Sequence, residues 1–241
     1  YVINNPLNIL DPNGADIVYV NLGGQEVYRI KNKNIYKTYI QTSRSYTSPS
    51  KGNLGWKEVP MPKIIQTRPS SNEDVSSEKY QKNDYLIAAR TGYFNQAKNH
   101  GILKLYSEGG HEISSEEIRQ IPDLDPTLVK AICIQESHAA LTSSDIMTSN
   151  NPGDWGDGKL KSAYGMKKKE KMSVTNSLYY GIRILATKGF KGGVKYDKKT
   201  GETSYEFKGW GNATNNFNGG GVRNYQNDVE TMVRESKPRK R

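Results

Sequence analysis

The sequence predicts an α+β protein that is mainly α-helical in its C-terminal half and carries a small β-hairpin-containing segment near its N-terminus. Two observations lead to this prediction. Apolar residues alternate with polar ones over residues 17–42, as in strands, and recur at helical spacing in several segments after residue 113. The chain has 241 residues, of which only 34% are hydrophobic, so we expect one lean core and a smaller unit beside it.

The composition excludes several classes of protein. A single cysteine, Cys133, rules out an intramolecular disulfide framework and a multi-cysteine zinc site. The three histidines lack metal-ligand spacing, and we expect no metal and no cofactor. No apolar run reaches the roughly 20 residues that span a bilayer, so we expect no stable membrane insertion. The 16 tyrosines far outnumber Phe and Trp, which suits a polar ligand.

The N-terminal third divides into three predicted parts. Residues 1–16 contain Asn5-Pro6 and Asp11-Pro12-Asn13-Gly14, which favour turns. Residues 17–42 predict a hairpin on Gly23-Gly24 followed by a third strand. Residues 43–76 are rich in Ser, Pro, Lys and Asn and predict a linker or loosely held loop, so that 17–76 form a small β-rich segment with a domain boundary at its end. Apolar residues at helical spacing over residues 78–97 predict that residues 77–110 form a helical connector.

Residues 111–241 form the predicted main domain. Ser114 and Glu117 can cap a short helix, and Asp125-Pro126 starts an apolar helix that runs to Ile134. A polar, glycine-rich stretch covers 139–165, and a further helix covers 174–189. The last part predicts a helix, a turn at 218–221 and another helix.

Glu136 is the best candidate for a general acid. It follows the apolar helix ending at Ile134, where partial burial would raise the pKa of a carboxyl toward the value that an acid needs near neutral pH. The alternative interpretation is a solvated glutamate in the last helical turn, which is the commoner situation for a helical Glu.

Four motifs in order over residues 113–235 resemble the superfamily of lytic transglycosylases and goose-type lysozymes. Glu136-Ser137-His138-Ala139 resembles the catalytic Glu-Ser motif, and Asp145-Ile-Met147-Thr148 falls where the superfamily has Gly-Leu-Met-Gln in its sugar cleft. Residues 177–185 resemble the following helix. Residues 213–221, with Phe217-Asn218-Gly219-Gly220, resemble the Ala-x-x-x-Tyr-Asn-Gly-Gly segment and are followed by Tyr225 and Val229.

The resemblance implies a lysozyme-like fold and cleavage of the glycosidic bond between N-acetylmuramic acid and N-acetylglucosamine in peptidoglycan, with Glu136 as the acid. A transglycosylase needs no second carboxylate, whereas an inverting hydrolase needs a base about 6.5–9.5 Å away. Candidate bases in the polar stretch are Asp145, Asp154 and Asp157, with loop formation as the alternative role for all three. The expected substrate-binding residues are Ser137, Met147, Thr148, Trp155, Phe217 and Asn218.

Two positions depart from the superfamily pattern. Thr148 replaces the cleft glutamine, and Phe217 replaces the tyrosine beside the catalytic glutamate and cannot donate a hydrogen bond. We therefore expect an altered polar network around the scissile sugar, and weak activity or an unusual substrate.

The turn-rich N-terminus carries a second resemblance. Residues 1–14, with Asn5-Pro6-Leu7 and Asp11-Pro12-Asn13-Gly14, resemble the end of the core of Rhs-repeat polymorphic toxins, which precedes a variable toxin domain. The chain also starts without Met, so we expect a fragment of a longer precursor. The resemblance implies a secreted antibacterial effector acting in the periplasm or cell wall of a target bacterium. Its expected partners are peptidoglycan glycan strands, the precursor's Rhs shell and a cognate immunity protein that blocks the cleft.

The net charge of +10 is unevenly distributed. Residues 158–200 contain twelve Lys or Arg residues and two acidic ones. A positive surface here would attract anionic wall polymers and an acidic face of the immunity protein, and a solvated loop is the alternative. Two other functions stay open: a non-catalytic wall-binding module on a lysozyme-like scaffold, which the departures at Thr148 and Phe217 leave open, and a basic nuclease-type toxin. We expect no nucleic-acid binding, because neither a metal-binding cluster nor a phosphate-gripping motif is evident.

Overall fold

A computed structural model describes residues 16–31, 37–45, 49, 54–60, 67–68, 73–150 and 155–236. The predicted turns of residues 1–15 and the candidate base Asp154 lie outside the described residues. Strands and helices are both present, so the α+β class is confirmed.

The N-terminal segment forms a four-stranded sheet. Its strands are β1 (Ile17–Val20), β2 (Glu26–Ile30), β3 (Lys37–Gln41) and β4 (Trp56–Val59), in the order β2-β1-β3-β4. Strands β1 and β2 pair antiparallel around a turn in which Gly24 has a φ of +75°, which confirms the predicted hairpin. The third strand, β3, pairs with β1 in parallel and with β4 antiparallel.

Strand β4 contradicts the prediction of a linker from residue 43 onward. Trp56 and Val59 are buried, while Lys57 and Glu58 between them are exposed. Two apolar residues among polar ones therefore anchor this strand in the sheet. The surrounding Ser, Lys and Asn residues hid this short pattern. Two further short strands, β5 (Thr67–Arg68) and β6 (Glu73–Asp74), pair with each other.

The predicted connector is a helix packed on the sheet. After a short 3-10 helix (Glu78–Tyr80), helix α1 covers Asp84–Asn99. At Gly92 the helix and the sheet approach closely, since an added Cβ would lie 2.7 Å from Val59 Cγ2 and 2.9 Å from Ile40 Cδ1. A side chain at this position would force the helix away from the sheet.

The predicted helices of the C-terminal half are confirmed. Ser114 and Glu117 form a capping box at the first of them, and the Asp125 carboxylate accepts from the Thr127 amide at the second. Sequence reasoning missed a short helix within the polar stretch and a small hairpin. The elements are α2 (Ser115–Arg119), α3 (Pro126–Ser137), α4 (Gly158–Ala163), α5 (Val174–Lys188), β7 (Val194–Tyr196), β8 (Thr203–Tyr205), α6 (Trp210–Phe217) and α7 (Tyr225–Arg234).

The main hydrophobic cluster among the described residues runs from the sheet through α1 and α3 to α5 and α7, and so extends across the boundaries predicted after residues 76 and 110. An ion pair between the fully buried Lys130 and Asp84, 2.8 Å apart, also joins α3 to α1. Within the described part of the chain, no helix has the length and apolar character needed to cross a bilayer.

Candidate active site at the end of helix α3

Glu136 lies in the last turn of α3, next to an unusual backbone. The helix ends because His138 adopts left-handed geometry with a φ of 50°, and Ala139 and Ala140 follow with φ values of 57° and 73°. Each non-glycine residue in this region costs about 1–2 kcal/mol. The Ser137 hydroxyl supports this turn by accepting from the Ala140 amide at 3.0 Å and donating to the Ile146 carbonyl at 2.9 Å.

Two hydroxyl groups hold the Glu136 carboxyl. The Tyr225 hydroxyl, at the start of α7, donates to Oε1 at 2.7 Å. The Thr148 hydroxyl donates to the same carboxyl from the loop after α3, where Thr148 itself has a positive φ of 49°. Because α7 packs against α3, the tyrosine is fixed in front of the carboxyl and is only 3% exposed.

The surroundings of Glu136 raise its pKa. Burial is the largest cause, since it disfavours the charged form, and the hydrogen bonds from Tyr225 and Thr148 partly offset it. The negative charge of Asp145 raises the pKa further. Burial and the charge of Glu136 in turn hold the pKa of the Tyr225 hydroxyl well above its usual value, so the tyrosine stays a donor. The carboxyl remains half-buried, as a proton donor to a bound ligand requires.

Tyr225 corrects an expectation from the sequence. The replacement of tyrosine by Phe217 predicts the loss of a hydrogen-bond donor beside the glutamate, but Tyr225, eight residues later, supplies one. Phe217 instead packs at the end of α6 against two hydrophobic clusters. In the sequence, the spacing of Tyr225, Val229 and Met232 predicts a buried helix face. This spacing does not reveal what the Tyr225 hydroxyl contacts.

Asp145 is the candidate base that the structure brings near Glu136, and its oxygens are occupied. Oδ1 accepts from the Ser149 amide and hydroxyl at 2.9 and 2.8 Å and from the Ser177 hydroxyl at 2.5 Å. Oδ2 accepts from the Asn150 amide at 2.7 Å. Four donors thus hold Asp145 as the acceptor that shapes the loop carrying Thr148, which is the loop-forming role considered from the sequence.

Asp157 lies at a different place in the fold. Its carboxylate pairs with Lys188 at 2.7 Å, at the C-terminal end of α5. Asp145 instead contacts Ser177 near the start of that helix, about 16 Å away along the axis for an interval of eleven residues. Asp157 is not among the charges that shift the pKa of Glu136. The structure therefore does not bring Asp157 together with the candidate acid.

Two of the expected substrate-binding residues have no solvent-exposed surface. Ser137 and Met147 are both 0% exposed. Met147 donates its amide to the Ser177 hydroxyl at 3.0 Å, and an added Cβ on Gly181 would lie 2.6 Å from its side chain. Both residues position their neighbours, Glu136 and Thr148, rather than contacting a ligand themselves.

Trp155 and Asn218 also make contacts within the protein. The Lys161 ammonium lies 5.4 Å from the centroid of the Trp155 ring, while the buried indole Nε1 meets no hydrogen-bond acceptor among the described residues. Asn218 closes the glycine turn after α6, since its amide accepts from the Val222 N–H at 3.0 Å and donates to the Val222 carbonyl at 2.9 Å. Of the expected binding residues, Thr148 is the one that contacts the Glu136 carboxyl.

A cavity of about 330 Å³ lies between α6 and α7. It is lined mainly by amide side chains, among them Asn215, Asn218 and Gln226, and Tyr225 forms part of its wall. Glu136 does not line it, so the cavity adjoins the carboxyl site without containing it. Among the described residues, no group of three or more His, Cys, Asp or Glu side chains is arranged to hold a metal ion.

The chain matches no protein-family model, no curated protein and no solved structure. The carboxyl site and the sequence motifs are therefore the features of this chain that point to a function.

Proposed function

We propose that this protein cleaves the glycan strands of peptidoglycan and that Glu136 is its general acid. One observation carries the proposal: a half-buried carboxyl with a raised pKa, held at 2.7 Å by the Tyr225 hydroxyl at the end of an apolar helix. This combination is what a general acid needs near neutral pH, because the group must be protonated at rest and stabilised once it has lost its proton. The order of the four sequence motifs supports a lysozyme-like fold.

The proposed reaction starts with proton transfer from Glu136 to the oxygen between N-acetylmuramic acid and N-acetylglucosamine. Burial raises the pKa of the carboxyl and so favours the protonated form from which the transfer starts. As the glycosidic bond breaks, the hydrogen bonds from Tyr225 and Thr148 stabilise the carboxylate that forms. These bonds strengthen as charge develops on Glu136, so they favour the transition state over the ground state.

The surroundings of Asp145 and Asp157 favour a lytic transglycosylase over an inverting hydrolase. A hydrolase needs a second carboxylate free to activate water, but of the two candidate bases that the structure describes, Asp145 is occupied by four donors and Asp157 by Lys188. In the proposed second half of the reaction, the Glu136 carboxylate takes the proton from the 6-hydroxyl of the muramic acid. The resulting alkoxide closes a 1,6-anhydro ring, and Glu136 is protonated again.

The biological setting is proposed from the sequence resemblances. The chain would be the toxin part of an Rhs-type effector that acts in the periplasm or cell wall of a competing bacterium. An immunity protein would protect the producer by blocking access to Glu136. Exposed lysines at 167–169 and 171 would attract anionic wall polymers and an acidic immunity protein.

The proposal is tested with purified peptidoglycan. Wild-type protein is expected to release soluble fragments, and Glu136→Gln is expected to release them at least about a hundredfold more slowly while still sedimenting with the insoluble wall. Glu116→Gln is the matched control, since Glu116 is an exposed glutamate on α2. Equal release by wild-type protein and Glu136→Gln would refute the role of Glu136. Wall binding without release by the wild type would favour a binding module instead.

A further inference from the structure

The hairpin of β7 and β8 has one free edge. Val194 lies opposite Tyr205 in the antiparallel pair of the two strands. Hydrogen-bonded pairs alternate with non-hydrogen-bonded ones in such a ladder, and the Glu206 amide donates to the Gly193 carbonyl one position before Val194. The N–H and C=O groups of Val194, and of Tyr196 two residues later, therefore point away from β8. No turn, loop or side chain among the described residues supplies a hydrogen-bond partner to these four groups.

The opposite edge of the hairpin is occupied. On β8 the Tyr205 amide, which also points outward, donates to Glu117 Oε1 of α2 at 2.6 Å. The side chains of β7 are instead exposed, by 57% at Val194 and 63% at Tyr196. An edge strand with unpaired backbone groups and exposed apolar side chains is a template for a further strand.

A cavity of about 250 Å³ lies beside the free edge. Its walls are mainly apolar and include Phe190, Val194 and Tyr205, and the loop of residues 107–111 forms its other side. Pockets that hold whole small molecules usually measure about 300–1,000 Å³, so this cavity suits a single side chain better. Val194 belongs both to the cavity wall and to the free edge, so a strand added along β7 would pass the cavity opening.

The charges around the free edge are mainly positive. Residues 191–208 contain five lysines and three acidic residues. Glu206 is shared by Lys195 and Lys208, and Lys191 at the cavity has no ion-pair partner among the described residues. Antiparallel pairing of β7 with a second copy of itself would bring the two Lys195 side chains together, which is unfavourable. The charges favour a segment that carries Asp or Glu.

We infer that the free edge of β7 binds an extended acidic segment of a partner protein, which adds a third strand to the hairpin and places an apolar side chain in the cavity. Backbone pairing supplies affinity in this mode of recognition, and the cavity supplies specificity. Thr187 lines the cavity and lies ten residues, or about 15 Å along α5, from Ser177 beside the candidate active site. The inference therefore does not rest on the proposed function and is tested without peptidoglycan.

The test is fluorescence anisotropy of a labelled peptide, acetyl-Glu-Val-Glu-Phe-Glu-Val-Glu-amide, titrated with the full chain. In an extended peptide, the Val and Phe side chains share one face and the Glu side chains the other, as Val194 and Lys195 do on β7. This peptide, or one with Leu or Val in place of Phe, is expected to bind saturably with a dissociation constant below about 1 mM.

Two N-methylated forms of the peptide distinguish strand pairing from charge attraction. One is methylated on alternate residues, and the other on the remaining residues, so that each loses the N–H groups of one edge and keeps every side chain. One of the two forms is expected to bind at least about tenfold more weakly, because its lost N–H groups would face β7, while the other form keeps its affinity.

Variants of the chain locate the binding. Val194→Pro removes a donor of the free edge but no hydrogen bond to β8, so it should lower the affinity at least about tenfold with little change in the thermal midpoint. Lys191→Glu, at an exposed position, should weaken binding most at low salt. Tyr28→Ala is the control, since Tyr28 is an exposed tyrosine on the other edge strand, β2, and should match the wild type.

Three results would overturn the inference. One is the absence of saturable binding by all three peptides. Another is equal affinity of both N-methylated forms and the parent peptide, which would mean that charge alone attracts them. The third is self-association of the wild type in sedimentation that is lost in Val194→Pro, which would make a second copy the occupant of the free edge.

Discussion

Glu136 and Asp145 are neighbouring carboxyl groups with opposite surroundings. Asp145 accepts hydrogen bonds from four donors of its own loop and of α5. Glu136 instead accepts from two hydroxyl groups, and burial is the main cause of its raised pKa. The difference assigns them different tasks. Asp145, whose oxygens are occupied by backbone and serine donors, organises a loop. Glu136, whose carboxyl is only partly buried, remains available for proton transfer.

The largest effect is expected from Glu136→Gln. Removal of the general acid should lower the initial rate of fragment release by roughly 10²–10⁴-fold, the usual contribution of acid–base catalysis. The midpoint of thermal unfolding should not fall, because the amide keeps an acceptor for Tyr225. If the unfolding midpoint of Glu136→Gln fell along with its rate, Glu136 would have a structural role like that of Asp145.

Asp145→Ala is expected to give the opposite pattern. Loss of several hydrogen bonds to a charged acceptor should lower the free energy of unfolding by about 2–4 kcal/mol, measured by urea denaturation. The rate of fragment release, assayed below the unfolding transition, should fall less than in Glu136→Gln. If Asp145→Ala abolishes release while remaining folded, Asp145 is a catalytic base and the hydrolase mechanism is restored.

Tyr225→Phe sharpens the account of how Glu136 is tuned. The hydrogen bond from Tyr225 favours the charged carboxylate, so its removal should raise the pKa of Glu136 further. Because the acid must be protonated to react, the alkaline limb of the pH–rate profile should move to higher pH. The maximal rate should fall roughly tenfold, by loss of one hydrogen bond to a developing charge. Tyr196→Phe, at an exposed tyrosine on β7, should leave both quantities unchanged.

The smallest effect is a pH dependence of stability. A carboxyl whose pKa is raised by folding adds stability that is fully present below its unfolded-state pKa and is lost as the pH rises through its folded pKa. At pH 7 Glu136→Gln should therefore be slightly more stable than the wild type, and the advantage should disappear below about pH 4, where Glu is protonated in both states. An unchanged difference between pH 4 and pH 7 would contradict the raised pKa.

Local signals in the sequence were sufficient for every longer helix, but not for the six-residue helix α4. Asp125-Pro126 and the Ser114–Glu117 capping box fix helix starts through contacts within a few residues, so their pattern is visible in the chain. Strand β4 depends on pairing with β3 across fifteen or more residues, and its two apolar anchors are too few to be seen among polar neighbours.

The site shows the same division between local and distant contacts. Position and burial of Glu136 follow from the apolar helix before it. The contact with Tyr225, 89 residues away, depends on how α7 packs against α3, which the sequence does not reveal. Ser137 and Met147 match the motif yet are buried, because a motif preserves residues that position the site as well as those that contact a ligand.

The mass of the released fragments tests the central claim most directly, that Glu136 acts without a second carboxylate. Purified peptidoglycan is digested with wild-type protein and the soluble muropeptides are analysed by mass spectrometry. We predict products that are about 18 Da lighter than reducing muropeptides, the mass of one water, because the 6-hydroxyl closes an anhydro ring. Products with reducing ends, released by wild type and absent with Glu136→Gln, would contradict the single-carboxylate mechanism and show that a water is activated during cleavage.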